Sequence, residues 1–242
     1  MPETPIFALE NVSFTYPSGR NVLKDVSFSL ADGEKIGLYG TNGSGKTTLF
    51  HVIMGLLKPQ AGRVLFHGRP VSGEKEFRAL RREVGLVMQS ADDQLFNPTV
   101  LEDVAFGPLN LGLSADEAGD RAVRTLAGLG LSGFENRLTH RLSGGEKKLV
   151  SLATVLSMHP RALLLDEPTN GLDPQTRERI IEILGNLTTA RIIISHDWDF
   201  LAQTTTRFMT VRDGRLVSDI PHLPHRHVHA HPLGDEPHHH HD

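Results

Sequence analysis

The chain has 242 residues, 38% of them hydrophobic, enough for one substantial core with at most a smaller lobe beside it. Its 25 Lys and Arg against 29 Asp and Glu leave a formal net charge of -4, which offers no broad attraction for a phosphate backbone and argues against nucleic acid as a partner. There is no cysteine, hence no disulfide or thiolate metal site, and no apolar run nears the roughly 20 residues a membrane-spanning helix needs. The opening MPETPIFALENV has neither the basic nor the apolar region of a secretory signal. A cytoplasmic chain is expected, one that meets a membrane only through a partner.

In chain order, IFALENVSFTY and VLKDVSFSL alternate as half-buried strands, with Val26, Phe28 and Leu30 on one face, and predict an antiparallel opening. From KIGLYG onward short apolar runs alternate with helical stretches, the pattern of a parallel sheet with crossover helices; the fold class is α/β. Between about residues 90 and 160 the strand signal gives way to helices, which reads as an inserted helical subdomain. There Ser114 and Glu117 have capping-box spacing and Gly130 is placed to end the helix. Sheet patterns return at ALLLDE and RIIISH, and Asp213-Gly214 within MTVRDGRLVS signals a tight hairpin. One domain over 1–220 is expected, followed by a histidine-rich tail over 221–242 that is expected to be unstructured.

Three motifs carry chemistry. GTNGSGKT, Gly40 to Thr47, fits GxxxxGK[ST] between an apolar strand and an apolar helix: backbone N–H groups and the helix N-terminus close around phosphate oxygens, Lys46 adds a point charge, and Thr47 can ligate Mg²⁺. Asp166 and Glu167 end the strand ALLLDE. Beside a phosphate loop, Asp166 can hold Mg²⁺ and Glu167 can polarise an attacking water; alone, the same pair reads as an exposed turn. LSGGE, Leu142 to Glu146, opens a helix with Leu149, Leu152, Ala153 and Leu156 on one face, so Ser143, Gly144 and Gly145 stand at its N-terminus as a second anion site or as an ordinary serine cap.

LSGGE resembles the signature motif of the ABC-type ATPases, and the other motifs of that family follow in order over residues 6–220. The resemblance implies a P-loop nucleotidase core with an antiparallel β subdomain and an inserted α-helical subdomain. It assigns Tyr16 to adenine stacking and Gly40, Thr41, Asn42, Gly43, Ser44, Gly45, Lys46, Thr47 and Thr48 to the ATP phosphates. Gln89 becomes the glutamine between the lobes, which together with Thr47 and Asp166 serves Mg²⁺. Asp173 of NGLDP becomes a dimer contact and His196 the switch histidine, so that Lys46, Gln89, Glu167 and His196 form the catalytic set. It also implies a head-to-tail pair, homodimeric or heterodimeric, in which one chain's Ser143 completes the other's ATP site.

The segment VMQSADDQLFNPTVLEDVAFGPLNLGLS resembles the ATP-binding subunits of energy-coupling-factor importers. That likeness implies a peripheral place on the cytoplasmic membrane face, a transmembrane coupling subunit docking near Gln89 to Gly107, and a separate membrane subunit that selects the substrate. Nine of the 14 histidines fall in the last 22 residues, with His225, His227, His229 and His231 alternating. Imidazole suits borderline metals, so the tail points to cobalt or nickel import and to capture of Ni²⁺ or Co²⁺ by those four residues. An artificial appendage normally ends in six plain histidines, whereas this one ends HHHHD after the spaced HRHVHAH. The competing function is a soluble ABC-type ATPase acting on nucleic acid or a protein assembly. A histidine-tailed GTPase is disfavoured, since LSGGE has no role there and no NKxD-like motif is present.

Overall fold

The computed structural model describes residues 4–218. The histidine tail, including His225, His227, His229 and His231, lies outside the described residues.

Two sheets carry the fold. The first is antiparallel, in the order β2 (Asn21–Leu30), β1 (Phe7–Thr15), β4 (Ala61–Phe66), β5 (Arg69–Val71). The second runs β10 (Arg215–Ser218), β9 (Arg207–Arg212), β3 (Lys35–Tyr39), β8 (Ala190–Ile194), β7 (Ala162–Asp166), β6 (Val84–Val87). Its strands from β9 to β6 are parallel, and β10 returns antiparallel through Asp213 and Gly214, both at positive φ as a two-residue hairpin requires.

The reading of a parallel sheet from KIGLYG onward needs one correction. After α1 (Lys46–Ile53) the chain goes back to the first sheet, where β4 pairs with β1 from Phe7↔Phe66 to Ser13↔Ala61. Only after α2 (Glu74–Glu83) does it re-enter the parallel sheet, at β6. The close approach of β4 to β1 needs a glycine: Gly62 has φ 78, and a Cβ there would stand 2.4 Å from the Asn11 carbonyl.

Residues 91–156 hold α3 (Val100–Asn110), α4 (Ala115–Gly128) and α5 (Gly144–Leu156), with no strand among them. Each starts on a hydroxyl cap closed by a glutamate three residues on: Thr99 with Glu102, Ser114 with Glu117, Ser143 with Glu146. Gly130, at φ 63, follows the end of α4.

Strand β7 separates two cores by simple alternation. Ala162 and Leu164 face the antiparallel sheet and α1, while Leu163 and Leu165 face α3, α4, α5, α6 (Pro174–Asn186) and α7 (Trp198–Thr204). Neighbouring β8 alternates likewise, Ile192 and Ile194 against Ile193. With β3, β8 and β7 adjacent and parallel, the loops after all three open at one edge, where such sheets place ligands.

Candidate functional site

The loop after β3 turns into α1 through Gly45, at φ 110. A Cβ on Gly45 would stand 2.6 Å from Val22 Cγ1 and 3.0 Å from the Val22 carbonyl oxygen, so that position has no room for a side chain, while Gly43, at φ 74, holds a left-handed backbone that favours glycine. Lys46 is 6% exposed and folds back over the loop, Nζ donating to the carbonyls of Gly40 at 2.7 Å and Thr41 at 3.0 Å. Burial pushes its ammonium below the ordinary lysine value, against the pull of Glu167 and Asp166.

From the end of β7, buried Asp166 accepts a hydrogen bond from Thr47 Oγ1 through Oδ2 at 2.7 Å. Burial raises its pKa, and the Thr47 hydroxyl with the nearby charges of His51, Lys46 and Lys148 opposes the rise. Glu167 sits at φ 46, a left-handed conformation unusual for a side-chain-bearing residue and characteristic of functional turns. Its Oε1 is buried without a hydrogen-bond partner, while His196 Nε2, from the loop after β8, lies 3.3 Å away without hydrogen-bond alignment. Burial again raises the Glu167 pKa, chiefly against the charge of His196.

These groups share a cavity of about 610 Å³, lined by Tyr16, Asn42, Gly43, Gly45, Lys46, Thr47, Thr48, Gln89, Asp166, Glu167 and His196. Tyr16 is fixed there by a hydroxyl contact to Thr48 Oγ1 at 3.0 Å and an edge-on stack against Phe14. Gly40, Thr41 and Ser44 line a neighbouring cavity that shares Asn42 and Gly43 with the first. Ser143, Gly144, Gly145 and Asp173 do not line the cavity. Ser143 is exposed as the cap of α5, its oxygen accepting from Glu146 N at 3.3 Å. Asp173 caps α6, accepting from Thr176 N at 3.0 Å and Thr176 Oγ1 at 2.7 Å. The two helix starts meet: a Cβ on Gly145 would lie 3.0 Å from Thr176 Oγ1.

The sequence reading missed Arg20, Val22, Asn170 and Ile194, which also line the cavity. Arg20 Nη2 donates to the Gly43 carbonyl at 2.6 Å. Its only sequence signal is its place four residues beyond Tyr16. Lys148 on the signature helix, 7% exposed, was likewise missed.

Residues 23–170 match the family model described as ABC transporter. An ABC transporter ATP-binding protein of Nitratidesulfovibrio vulgaris, whose name gives no substrate, is 57% identical over 98% of this chain and 86% of its own length. The energy-coupling factor transporter ATP-binding protein EcfA of Methanothermobacter thermautotrophicus is 45% identical over 87% of this chain and 69% of its own. The cobalt import ATP-binding protein CbiO of Rhodobacter capsulatus is 44% identical over 89% and 79%. Among solved structures, cbiO1 of Clostridium perfringens, described as part of the ABC transporter complex cbiONQ, superposes with a TM-score of 0.78 at 37% identity over 89% of this chain and 88% of its own. The ABC transporter cassette MJ0796, solved as a dimer, gives 0.78 at 30% identity over 87% and 96%. This chain belongs to the ABC transporter ATP-binding family and has its fold, close to the EcfA and CbiO ATPases. It is an ATPase whose hydrolysis is coupled to transport.

Proposed function

We propose that this chain is the peripheral ATP-hydrolysing subunit of an energy-coupling-factor importer for a transition-metal ion, cobalt or nickel. The observation that carries the enzymatic half is the convergence of Lys46, Thr47, Asp166, Glu167 and His196 on one cavity from the ends of three adjacent parallel strands.

The cavity fits a nucleoside triphosphate with Mg²⁺. The loop has backbone where side chains would collide, the Thr47 and Asp166 oxygens stand side by side, and Glu167 presents a buried oxygen with no partner. Tyr16 would take the adenine, and Lys46 would leave the Gly40 and Thr41 carbonyls for the phosphates. Thr47, Asp166 and Gln89 would hold the metal, which when bound neutralises charge on the phosphates. Glu167 accepts a proton from the attacking water, and His196, 3.3 Å from its carboxylate, orients it.

In this reading the exposed N-terminus of α5, with Ser143, Gly144 and Gly145, serves the nucleotide of a second ATPase subunit, and Asp173 lies beside it. Two helix N-termini from different chains then neutralise one triphosphate, and hydrolysis removes the charge that joins them. The membrane partners dock beyond Gln89. There Phe96 and Phe106 pack edge to face at 4.9 Å yet stay 65% and 44% exposed, with Leu109 exposed nearby. In this reading the exposed pair forms part of the apolar surface that a membrane subunit covers. Among the described residues no helix is long and apolar enough to cross a membrane, consistent with a peripheral place on the cytoplasmic face.

The metal rests on the name of the Rhodobacter relative and on the alternating His225, His227, His229 and His231, proposed to capture Ni²⁺ or Co²⁺ near the transporter. The test is co-purification followed by reconstitution. A multi-spanning membrane protein in the complex and ATP-dependent Co²⁺ or Ni²⁺ uptake into vesicles are the expected results. Uptake of another solute alone would overturn the metal assignment, and ATPase stimulated by nucleic acid with no membrane partner would overturn import. Within the same assay Glu167→Gln should bind ATP, hydrolyse almost none and remain dimeric, whereas Lys46→Ala should lose binding itself.

A further inference from the structure

Lys148 lies in the second turn of α5 with its side chain turned into the protein, and its Nζ reaches three backbone carbonyls. It makes a short contact to Gln89 O and stands 3.4 Å from both Met88 O and Glu167 O. An ammonium has three donors and no acceptor, so three carbonyls satisfy it. Two of them belong to the segment that leaves β6 toward Gln89, and the third belongs to the strained turn after β7.

Gln94 grips the same segment from the other side. Its Oε1 accepts from Met88 N at 3.0 Å, while its Nε2 donates to Ser151 O and Thr154 Oγ1 of α5, both at 2.8 Å. Met88 is thus tied to α5 through both of its backbone polar groups. The Glu167 turn is held at three points: its N–H donates to Ile194 O at 2.9 Å, and its carbonyl receives Asn170 N at 3.2 Å as well as Lys148. Burying a lysine costs desolvation, which an apolar side chain filling the same space would avoid. What the lysine adds is a bridge from α5 to two loops that carry Gln89 and Glu167.

We propose that Lys148 is a positioning residue for hydrolysis, holding the Gln89 loop and the Glu167 turn in register with the helix whose exposed N-terminus begins at Ser143. This inference rests on the proposed roles of Gln89, Glu167 and Ser143. Lys148 lies five positions after Ser143 on the same helix, so a shift of α5 at the partner's nucleotide is passed directly to the chain's own hydrolytic groups. One site's occupancy then bears on the geometry of the other without a longer relay.

The test uses the full chain with Lys148→Met, which keeps length and volume, and Lys148→Gln, which keeps an N–H donor. Lys148→Met is expected to lower kcat by about 10²-fold, the scale of a small displacement at a reacting centre, while ATP affinity stays within about twofold. Lys148→Gln should recover part of that loss. Because Lys148 acts in part through Gln89, adding Lys148→Met to Gln89→Ala should cost clearly less than the about 10²-fold it costs alone. Near-normal kcat in the folded Met variant, multiplicative losses in the double variant, or parallel falls in ATP affinity and melting temperature would overturn the proposal. If the Met variant does not fold, the Gln variant and its combination with Gln89→Ala decide by the same criteria. Glu167→Gln, assayed alongside, keeps the two readings apart: normal turnover there sinks the general-base assignment, whereas the Lys148–Gln89 cycle judges the positioning role.

Discussion

Thr47 Oγ1 and Asp166 Oδ2 stand 2.7 Å apart although they are 119 positions apart in the sequence. Thr47 lies in the first turn of α1, which follows β3, and Asp166 ends β7; β3 and β7 are not neighbours, since β8 runs between them. The hydrogen bond therefore spans the mouth of the sheet and holds two oxygens where one cation can take both. Thr47→Val should raise the Mg²⁺ concentration for half-maximal hydrolysis about tenfold or more, and Thr47→Ser should stay near the parent. Mg²⁺ titrations of ATPase rate read this directly. An unchanged half-saturation in the valine variant would remove Thr47 from the metal site.

Ser143 and Lys46 belong, in the proposed reading, to different composite sites of a pair. Activity per subunit should then rise with protein concentration while dimerisation is incomplete. Mixing a Lys46→Ala chain with a Ser143→Ala chain places both lesions at one site in half-and-half dimers and leaves the other site whole. Partial recovery of hydrolysis is expected if one site can fire alone. Strict proportionality of rate to concentration through the measured dissociation range would count against sharing.

Glu146 places a negative charge in the first turn of α5, where a triphosphate is proposed to approach. Arg137 meets it in a two-pronged contact, Nη1 to Oε1 at 2.7 Å and Nη2 to Oε2 at 3.3 Å, with its guanidinium carbon 4.1 Å from the centre of the Phe134 ring. The pairing holds the Glu146 carboxyl below the ordinary glutamate range. Arg137→Met should uncover that charge and weaken ATP-driven pairing by about two- to fivefold, an effect that shrinks as salt is raised. Adding Glu146→Gln should restore it. Equal affinities in all three proteins, measured by sedimentation at several ATP concentrations, would show that the helix terminus does not meet phosphate.

What the sequence made legible was what is local. Gly40 to Thr47, Asp166 with Glu167, and Ser143 to Glu146 each act through neighbours a few residues apart, so their spacing shows. The return of β4 to β1 was not legible, because it depends on backbone pairing across some sixty residues, Phe7 with Phe66, and on the close fit of Gly62 under Asn11. Arg20 and Lys148 were missed for a related reason. Both donate to backbone carbonyls, of Gly43 and of Gln89 and Glu167, and a carbonyl has no residue type to signal its partner.

Asp103, near the start of α3, is 3% exposed and supports the segment that displays Phe96. Its Oδ1 accepts from Phe96 N at 3.2 Å, Asn97 N at 3.0 Å and Asn97 Nδ2 at 2.9 Å, whereas Oδ2 is buried with no partner. Burial raises its pKa in spite of the Asn97 hydrogen bonds. A raised folded value means the folded state binds the proton more tightly than the unfolded one. The stabilising contribution is therefore complete below 3.8, the ordinary value, and is lost as pH rises through the raised folded value. Asp103→Asn keeps the Oδ1 acceptor and removes the charge, so its melting temperature should exceed the parent's near pH 7, with the gap closing toward pH 4. Thermal melts across that range test it. A gap that stays constant with pH would mean that the ionisation of Asp103 is not what costs stability, and an asparagine variant less stable throughout would mean that the orphan oxygen is met by a donor in solution.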